Sequence, residues 1–398
     1  MRRGSGTVAA MTVDGRVEVG WEGVRDAFEA NLAAGDEVGA GVAVYHRGRP
    51  VVDLWGGFFD RDRTRRYGED TLQLVFSTTK GVVATALAMC AQRGLLDYAE
   101  PVSTYWPEFA AHGKGEVTVA QLLSHQVGLI TVDAPTTLAE ALDWDTMVAR
   151  LADTAPDWPI GTAHGYHALT FGWLAGELIR RVDGRSPGRF LAEEIAAPLG
   201  LDLWIGLPDE LEARVSPLVG SVVSTSKNPA TQAVIDQFTG PGTRLGRALT
   251  LSGAFAGKGV FNRRDVHAAE LPAANGISNA RSLAKLYAAT MAPVDGVRLL
   301  DEATRDVART TVTPSGEGDL CLVAASTFGM GFMTHGQMTP YSGPGSYGHP
   351  GAGGSVAFAQ PERQLAFAYV MNRMTQNVAG DRRAQRLIDA AAQAADAS

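Results

Sequence analysis

Apolar residues recur at helical spacing over residues 17–33 and then crowd into residues 38–45, whose Val and Ala content suits a strand. A turn at 46–49 containing Gly48 and a second apolar run at 51–55 complete a hairpin pattern, so sheet begins early in the chain. The pattern changes at Ser77. From there, Val82, Val83, Ala86, Leu87, Met89 and Cys90 mark a long apolar helix with Gly94 as its stop. Helical periodicity continues at 119–124, 137–151, 169–181 and 187–195, punctuated by Gly, Pro and Asp.

Residues 224–276 interrupt this regularity with Asn228-Pro229, Gly240-Pro241-Gly242 and Leu271-Pro272, which predicts irregular loops lining a cleft. Ser278 is the expected cap of a helix through Leu283, Leu286 and Tyr287. Two apolar strands follow at 355–359 and 365–371, joined by Pro361-Glu362-Arg363-Gln364, and a last helix covers 381–395. Strands near both ends and helices between them imply a mixed α/β (α+β) fold. One antiparallel sheet is assembled from the two ends, flanked by helices, with an all-helical region inserted. The expected division is a disordered leader at 1–15, an α/β domain from 16–85 and 225–398, and a helical domain from 86–224, with the active site between them.

The chain has 398 residues, 45% of them hydrophobic and 20% charged, enough for a substantial core. Its formal net charge of -8 repels phosphate backbones and anionic lipid surfaces, which argues against nucleic acid as a partner. Met1-Arg2-Arg3 is followed by small residues without the apolar core of an export signal. No run approaches the roughly 18 apolar residues of a membrane span. A cytoplasmic protein without a membrane partner is therefore expected. Cys90 and Cys321, each in apolar surroundings, read as buried free thiols, and no metal or cofactor is expected.

The strongest chemical signal is Ser77-Thr78-Thr79-Lys80, an S-x-x-K at the start of an apolar helix. Three residues apart on a helix, both side chains leave one face and their heads can meet. A serine hydroxyl needs a neighbour to take its proton, and a lysine can do so only when burial lowers its pKa. The competing reading is a helix-capping serine with a solvated lysine. Tyr166, in Gly161-Thr-Ala-His-Gly-Tyr166, precedes a helix and can place its phenol in a cleft as a proton relay. Packing in the core is the default for any single tyrosine. Gly348-His349-Pro350-Gly351-Ala352-Gly353-Gly354 lets a backbone edge approach a ligand, and an N–H from that edge paired with that of Ser77 forms an oxyanion hole.

These three elements in this order, with Val119-Ala-Gln-Leu-Leu-Ser-His-Gln-Val-Gly-Leu129 and Ala197-Pro-Leu-Gly-Leu201, resemble the serine β-lactamase and penicillin-binding-protein superfamily, and most of all the family VIII carboxylesterases. The resemblance spans nearly all of the chain after the leader. It implies a β-lactamase-like fold with Ser77 as the acylated nucleophile, Lys80 as general base, Tyr166 as the relay phenol, and Ser77 and Ala352 as the oxyanion donors. It also implies substrate contacts from His349, Gly351 and His167. Two departures stand out. The family's Tyr-x-Asn reads Tyr166-His167-Ala168, and its Lys-Thr-Gly reads His349-Pro350-Gly351. In lactamases those groups hold the acyl amide and the substrate carboxylate, so their loss favours esters.

The expected activity is hydrolysis of short-chain carboxylic esters, with a small-molecule ester as the partner. Acyl transfer, β-lactam or peptide cleavage, and a non-catalytic binding role are the alternatives. His125 reads as a structural histidine, and Trp158, Trp173 and Phe261 are candidates to line an apolar acyl site.

Overall fold

The computed structural model describes residues 11–220, 228–313, 317–375 and 380–398. Its first strands are β1 (Val13–Val17), β2 (Gly39–His46) and β3 (Arg49–Gly57); next come the short β4 (Gln73–Leu74), β5 (Leu203–Trp204) and β6 (Ile277–Ser278). The chain closes with β7 (Met333–Thr334), β8 (Tyr347–Pro350), β9 (Val356–Gln360) and β10 (Leu365–Met371). The main sheet has 7 strands in the order β1-β3-β2-β10-β9-β8-β7, and β4-β6-β5 make a 3-stranded sheet beside it. Every neighbouring pair is antiparallel. Strands from the two ends meet in the middle, where β2 pairs with β10.

Five helices hold the sheet and the site: α1 (Glu22–Ala33), α2 (Thr78–Gln92), α3 (Thr170–Asp183), α4 (Ala280–Ala289) and α5 (Arg382–Asp396). Side chains alternate along β10, so Leu365, Phe367, Tyr369 and Met371 join a core with Phe28 and Leu32 of α1 and Leu387 and Ile388 of α5. Ala366, Ala368 and Val370 face the other way and share a core with Leu283, Leu286 and Tyr287 of α4. Cover on both faces explains why these strands read as continuous apolar runs rather than an alternating pattern. α2 is buried on nearly every side and packs against α3, β8 and β9. Its N-terminus thereby meets the end of the sheet.

Several sequence expectations are corrected. The leader does not extend to residue 15, because Val13–Val17 pairs with β3; residues 1–10 lie outside the described residues. The first helix consequently starts at Glu22 rather than at residue 17. Residues 224–276 are not simply loops: they carry helices at Pro229–Thr239, Arg244–Thr250 and Arg264–Ala268. Pro229 starts a helix because its missing N–H costs nothing in the first turn, and Asn228 caps it. Residues 221–227 of that stretch lie outside the described residues. The cap of α4 is Asn279, whose Oδ1 accepts from Ser282 N at 2.9 Å, while Ser278 belongs to β6 and donates to Asp202 O.

Candidate active site

Val75 and Phe76 turn the chain from β4 into α2, and Phe76 takes the left-handed conformation (φ 46°) that a bulky residue adopts only under constraint. Its ring packs edge-on against Phe261, with centroids 4.9 Å apart. The turn sets Ser77 at the mouth of α2, half-buried and without a capping hydrogen bond from its side chain. One turn later Lys80 Nζ lies 3.1 Å from Ser77 Oγ, 2.7 Å from Ala168 O and 3.0 Å from Ala273 O. Lys80 is fully buried, and that burial alone holds its pKa well below the usual 10.5. A neutral amine has two N–H bonds and one lone pair. With both N–H bonds on the two carbonyls, the lone pair faces the Ser77 hydroxyl.

Tyr166 is 2% exposed, the Ser77 side chain acts to lower its phenol's pKa, and its ring centroid lies 4.8 Å from Lys80 Nζ. Burial raises the phenol's pKa above its usual 10 and lowers the amine's, so both groups are biased toward their neutral forms. The tyrosine is held from behind. Its N–H donates to Asp319 Oδ1 at 3.0 Å, and its ring stacks on Phe328 and on His349. The buried Asp319 carboxylate also accepts from Cys321 N, Leu322 N and Ser326 Oγ, which locks two loops together.

Among the described residues, neither the Ser77 N–H nor the Ala352 N–H has an acceptor. Unpaired N–H groups are what an oxyanion hole requires. The loop carrying Ala352 is bound to the segment around Ser77: Ser355 Oγ donates to Val75 O at 2.8 Å and accepts from Thr78 Oγ1 at 3.3 Å. A side chain at Gly351 would overlap Val75 O and Ser355 Oγ. Gly351 therefore allows the close approach of this loop to the segment before α2.

A family model described as Beta-lactamase matches residues 24–392. The chain belongs to the Beta-lactamase family. It is 37% identical over 358 residues to the Mycobacterium tuberculosis protein "Esterase/beta-lactamase LipL", covering 87% of this chain and 80% of that protein. It is similar to a solved penicillin-binding-protein homologue from Caulobacter crescentus, with 40% identity and a TM-score of 0.84 over 96% of this chain and 100% of that one. A crystal structure of a family VIII carboxylesterase matches with 37% identity and a TM-score of 0.85, again over 96% and 100%.

The departures of this Beta-lactamase-family chain from the lactamase motifs have visible structural consequences. Ala168 has no amide side chain, yet its carbonyl accepts from Lys80. His349 is buried with Nδ1 hydrogen-bonded to Pro350 O, Nε2 unpartnered, and its pKa lowered to about 3 by burial, so it carries no charge. His167 does not fit its expected substrate role. Its Nε2 accepts from Leu129 N at 2.9 Å and its Nδ1 donates to Gly165 O at 2.7 Å, so both nitrogens are consumed by the fold. His125 is structural as expected, its Nδ1 accepting from His167 N.

Of the three aromatic candidates, Phe261 lines a pocket. It joins Phe76, Leu249, Phe255, Val260 and Met374 around an open apolar pocket. Trp173 is buried in the core of α3, and Trp158 packs beside His167. Sequence reasoning missed Asp319 and the carbonyls of Ala168 and Ala273. A lone aspartate in an irregular segment carries no pattern, and a main-chain acceptor leaves no trace in residue identity. No helix among the described residues is long and apolar enough to cross a membrane.

Proposed function

We propose that this chain is a serine carboxylesterase that hydrolyses short-chain esters of small molecules through an acyl-Ser77 intermediate. The observation that carries the reading is Ser77 Oγ 3.1 Å from the buried Lys80 amine, which itself lies 4.8 Å from the Tyr166 ring, together with the unpaired N–H groups of Ser77 and Ala352. Ser77 attacks the ester carbonyl while its proton passes to Lys80. The N–H groups of Ser77 and Ala352 hold the oxyanion, and Tyr166 protonates the departing alkoxide. This leaves an ammonium beside a phenolate. Water then enters where the alcohol left, gives its proton to Tyr166, and attacks the acyl group. Lys80 returns its proton to Ser77 Oγ as the acid departs, and the cycle closes.

The names of its relatives, an esterase/β-lactamase and a family VIII carboxylesterase, support the ester reading. So does the neutral His349, which offers no cation for an obligatory substrate carboxylate. Its unpartnered Nε2 is an acceptor for a bound substrate or water. The test is a panel of chromogenic esters, anilides and a cephalosporin. Short-chain esters should turn over fastest, and Ser77→Ala should abolish that turnover. A folded Ser77→Ala protein of unchanged activity ends the assignment.

A further inference from the structure

We propose that Arg383, on the first turn of α5 and remote in sequence from every catalytic group, is a positioning residue for the oxyanion hole, acting through the glycine loop that carries Ala352. The proposal rests on the acyl-serine reading above. Its basis is a chain of contacts. Arg383 Nη2 donates to Gly353 O at 2.8 Å, and the same carbonyl accepts from Thr375 N at 3.0 Å and Thr375 Oγ1 at 3.3 Å. Arg383 is in turn fixed by Asp381, with Nη2 to Oδ2 at 2.8 Å, and by Glu37, with Nη1 to Oε2 at 2.9 Å. All three side chains are buried. The single Thr375 hydroxyl hydrogen is shared between Gly353 O and the nearer Asp381 Oδ2, at 2.7 Å.

The geometry transmits this grip to Ala352. Gly354 N donates to Gly351 O at 3.2 Å, closing a tight turn over 351–354. Gly351 C=O and Ala352 N–H lie in one planar peptide, so fixing the carbonyl fixes the direction of the N–H. Gly353 (φ 89°) and Gly354 (φ 128°) hold conformations that other residues resist, and such a turn keeps its shape only where the surroundings impose it. A Cβ on Gly354 would stand 2.5 Å from Asp381 Oδ2 and 2.7 Å from Arg383 Nη2, so the cluster lies directly against the loop. A buried carboxylate-guanidinium cluster contributes little net stability by itself, but it does fix a geometry.

The experiment compares Arg383→Lys, Thr375→Val and Leu387→Ala with the wild type, at a temperature where circular dichroism shows each folded. Leu387 is buried on the same helix, away from the loop, and controls for loss of stability alone. Losing an oxyanion donor outright costs about 10²–10³-fold, so a misaligned one should lower kcat roughly tenfold in Arg383→Lys and about threefold in Thr375→Val. KM should stay within about twofold. A second readout is inhibition by an alkylboronic acid. Boron accepts Ser77 Oγ as the serine proton passes to Lys80, giving a tetrahedral anion whose affinity should weaken by the same factor as kcat. Leu387→Ala should keep its kcat and boronate affinity despite a lower Tm.

Unchanged kcat in Thr375→Val, a fall in kcat matched by Leu387→Ala, or boronate affinity unaltered by the clamp variants overturns the proposal. If Arg383→Lys does not fold, Thr375→Val decides. Failure of the esterase reading itself shows separately, as activity surviving in Ser77→Ala.

Discussion

Lowering the pH from 7.5 to 5.0 should remove several kcal/mol of stability from this protein, because its buried histidines can exist only as neutral rings. His125 Nδ1 accepts from His167 N, and His167 Nε2 accepts from Leu129 N; a proton on either nitrogen would face an N–H instead of receiving one. Burial holds His125 well below its usual 6.5 and lowers His167 and His349 to about 3. The unfolded chain therefore binds more protons than the native one below pH 6.5, and stability falls as pH falls. At pH 5 each ring contributes about 1.36 × 1.5, or about 2 kcal/mol, whatever its native pKa, provided that lies well under 5.

The two rings held near 3, His167 and His349, give about 4 kcal/mol of loss, and His125 adds to it in the same direction. Glu37, raised to about 7 by burial, binds a proton more readily in the native state and returns about 2 kcal/mol over the same interval. Lys80, whose pKa burial lowers, acts in the same direction as the histidines. The net loss is a large fraction of the roughly 5–15 kcal/mol that keeps a domain folded. Urea denaturation followed by tryptophan fluorescence at the two pH values measures it. His167→Gln, which keeps an acceptor for Leu129 N without a titrating ring, should reduce the pH-dependent loss by about 2 kcal/mol. An identical fall in wild type and His167→Gln, or no fall in either, refutes the reasoning.

Three further outcomes are expected. The acid limb of the kcat/KM profile should lie well below pH 10.5, since activity needs neutral Lys80, and Lys80→Arg should lose at least about 10²-fold; a rise centred near pH 10 contradicts the desolvated amine. Asp319→Ala strands the Tyr166, Cys321 and Leu322 N–H groups and should cost about 3 kcal/mol in thermal or urea melts, whereas Asp319→Asn keeps an oxygen acceptor and should cost markedly less. Phe261→Ala enlarges the pocket beside Phe76 and should move the preference across a series of p-nitrophenyl esters toward longer acyl chains; an unaltered preference assigns that pocket another role.

The spacing of Ser77 and Lys80, the apolar helix behind them and the strand pair at 355–371 were legible in the sequence, because each is a local periodicity that the backbone geometry translates directly. The same locality made Pro229 and its neighbours read as breakers, although Asn228-Pro229 starts a helix. Which side of each strand faces which helix, and that β2 pairs with β10 across more than 300 residues, depended on burying both faces of one sheet. The site divided in the same way. Residue types named Ser77, Lys80 and Tyr166 as candidates, but the carbonyls of Ala168 and Ala273 that hold the Lys80 amine, the Asp319 carboxylate behind Tyr166, and the engagement of both His167 nitrogens arise only when distant segments are packed together. Proton affinity and hydrogen-bond direction are set by the depth of burial and by neighbouring main-chain atoms, and only the folded chain supplies those.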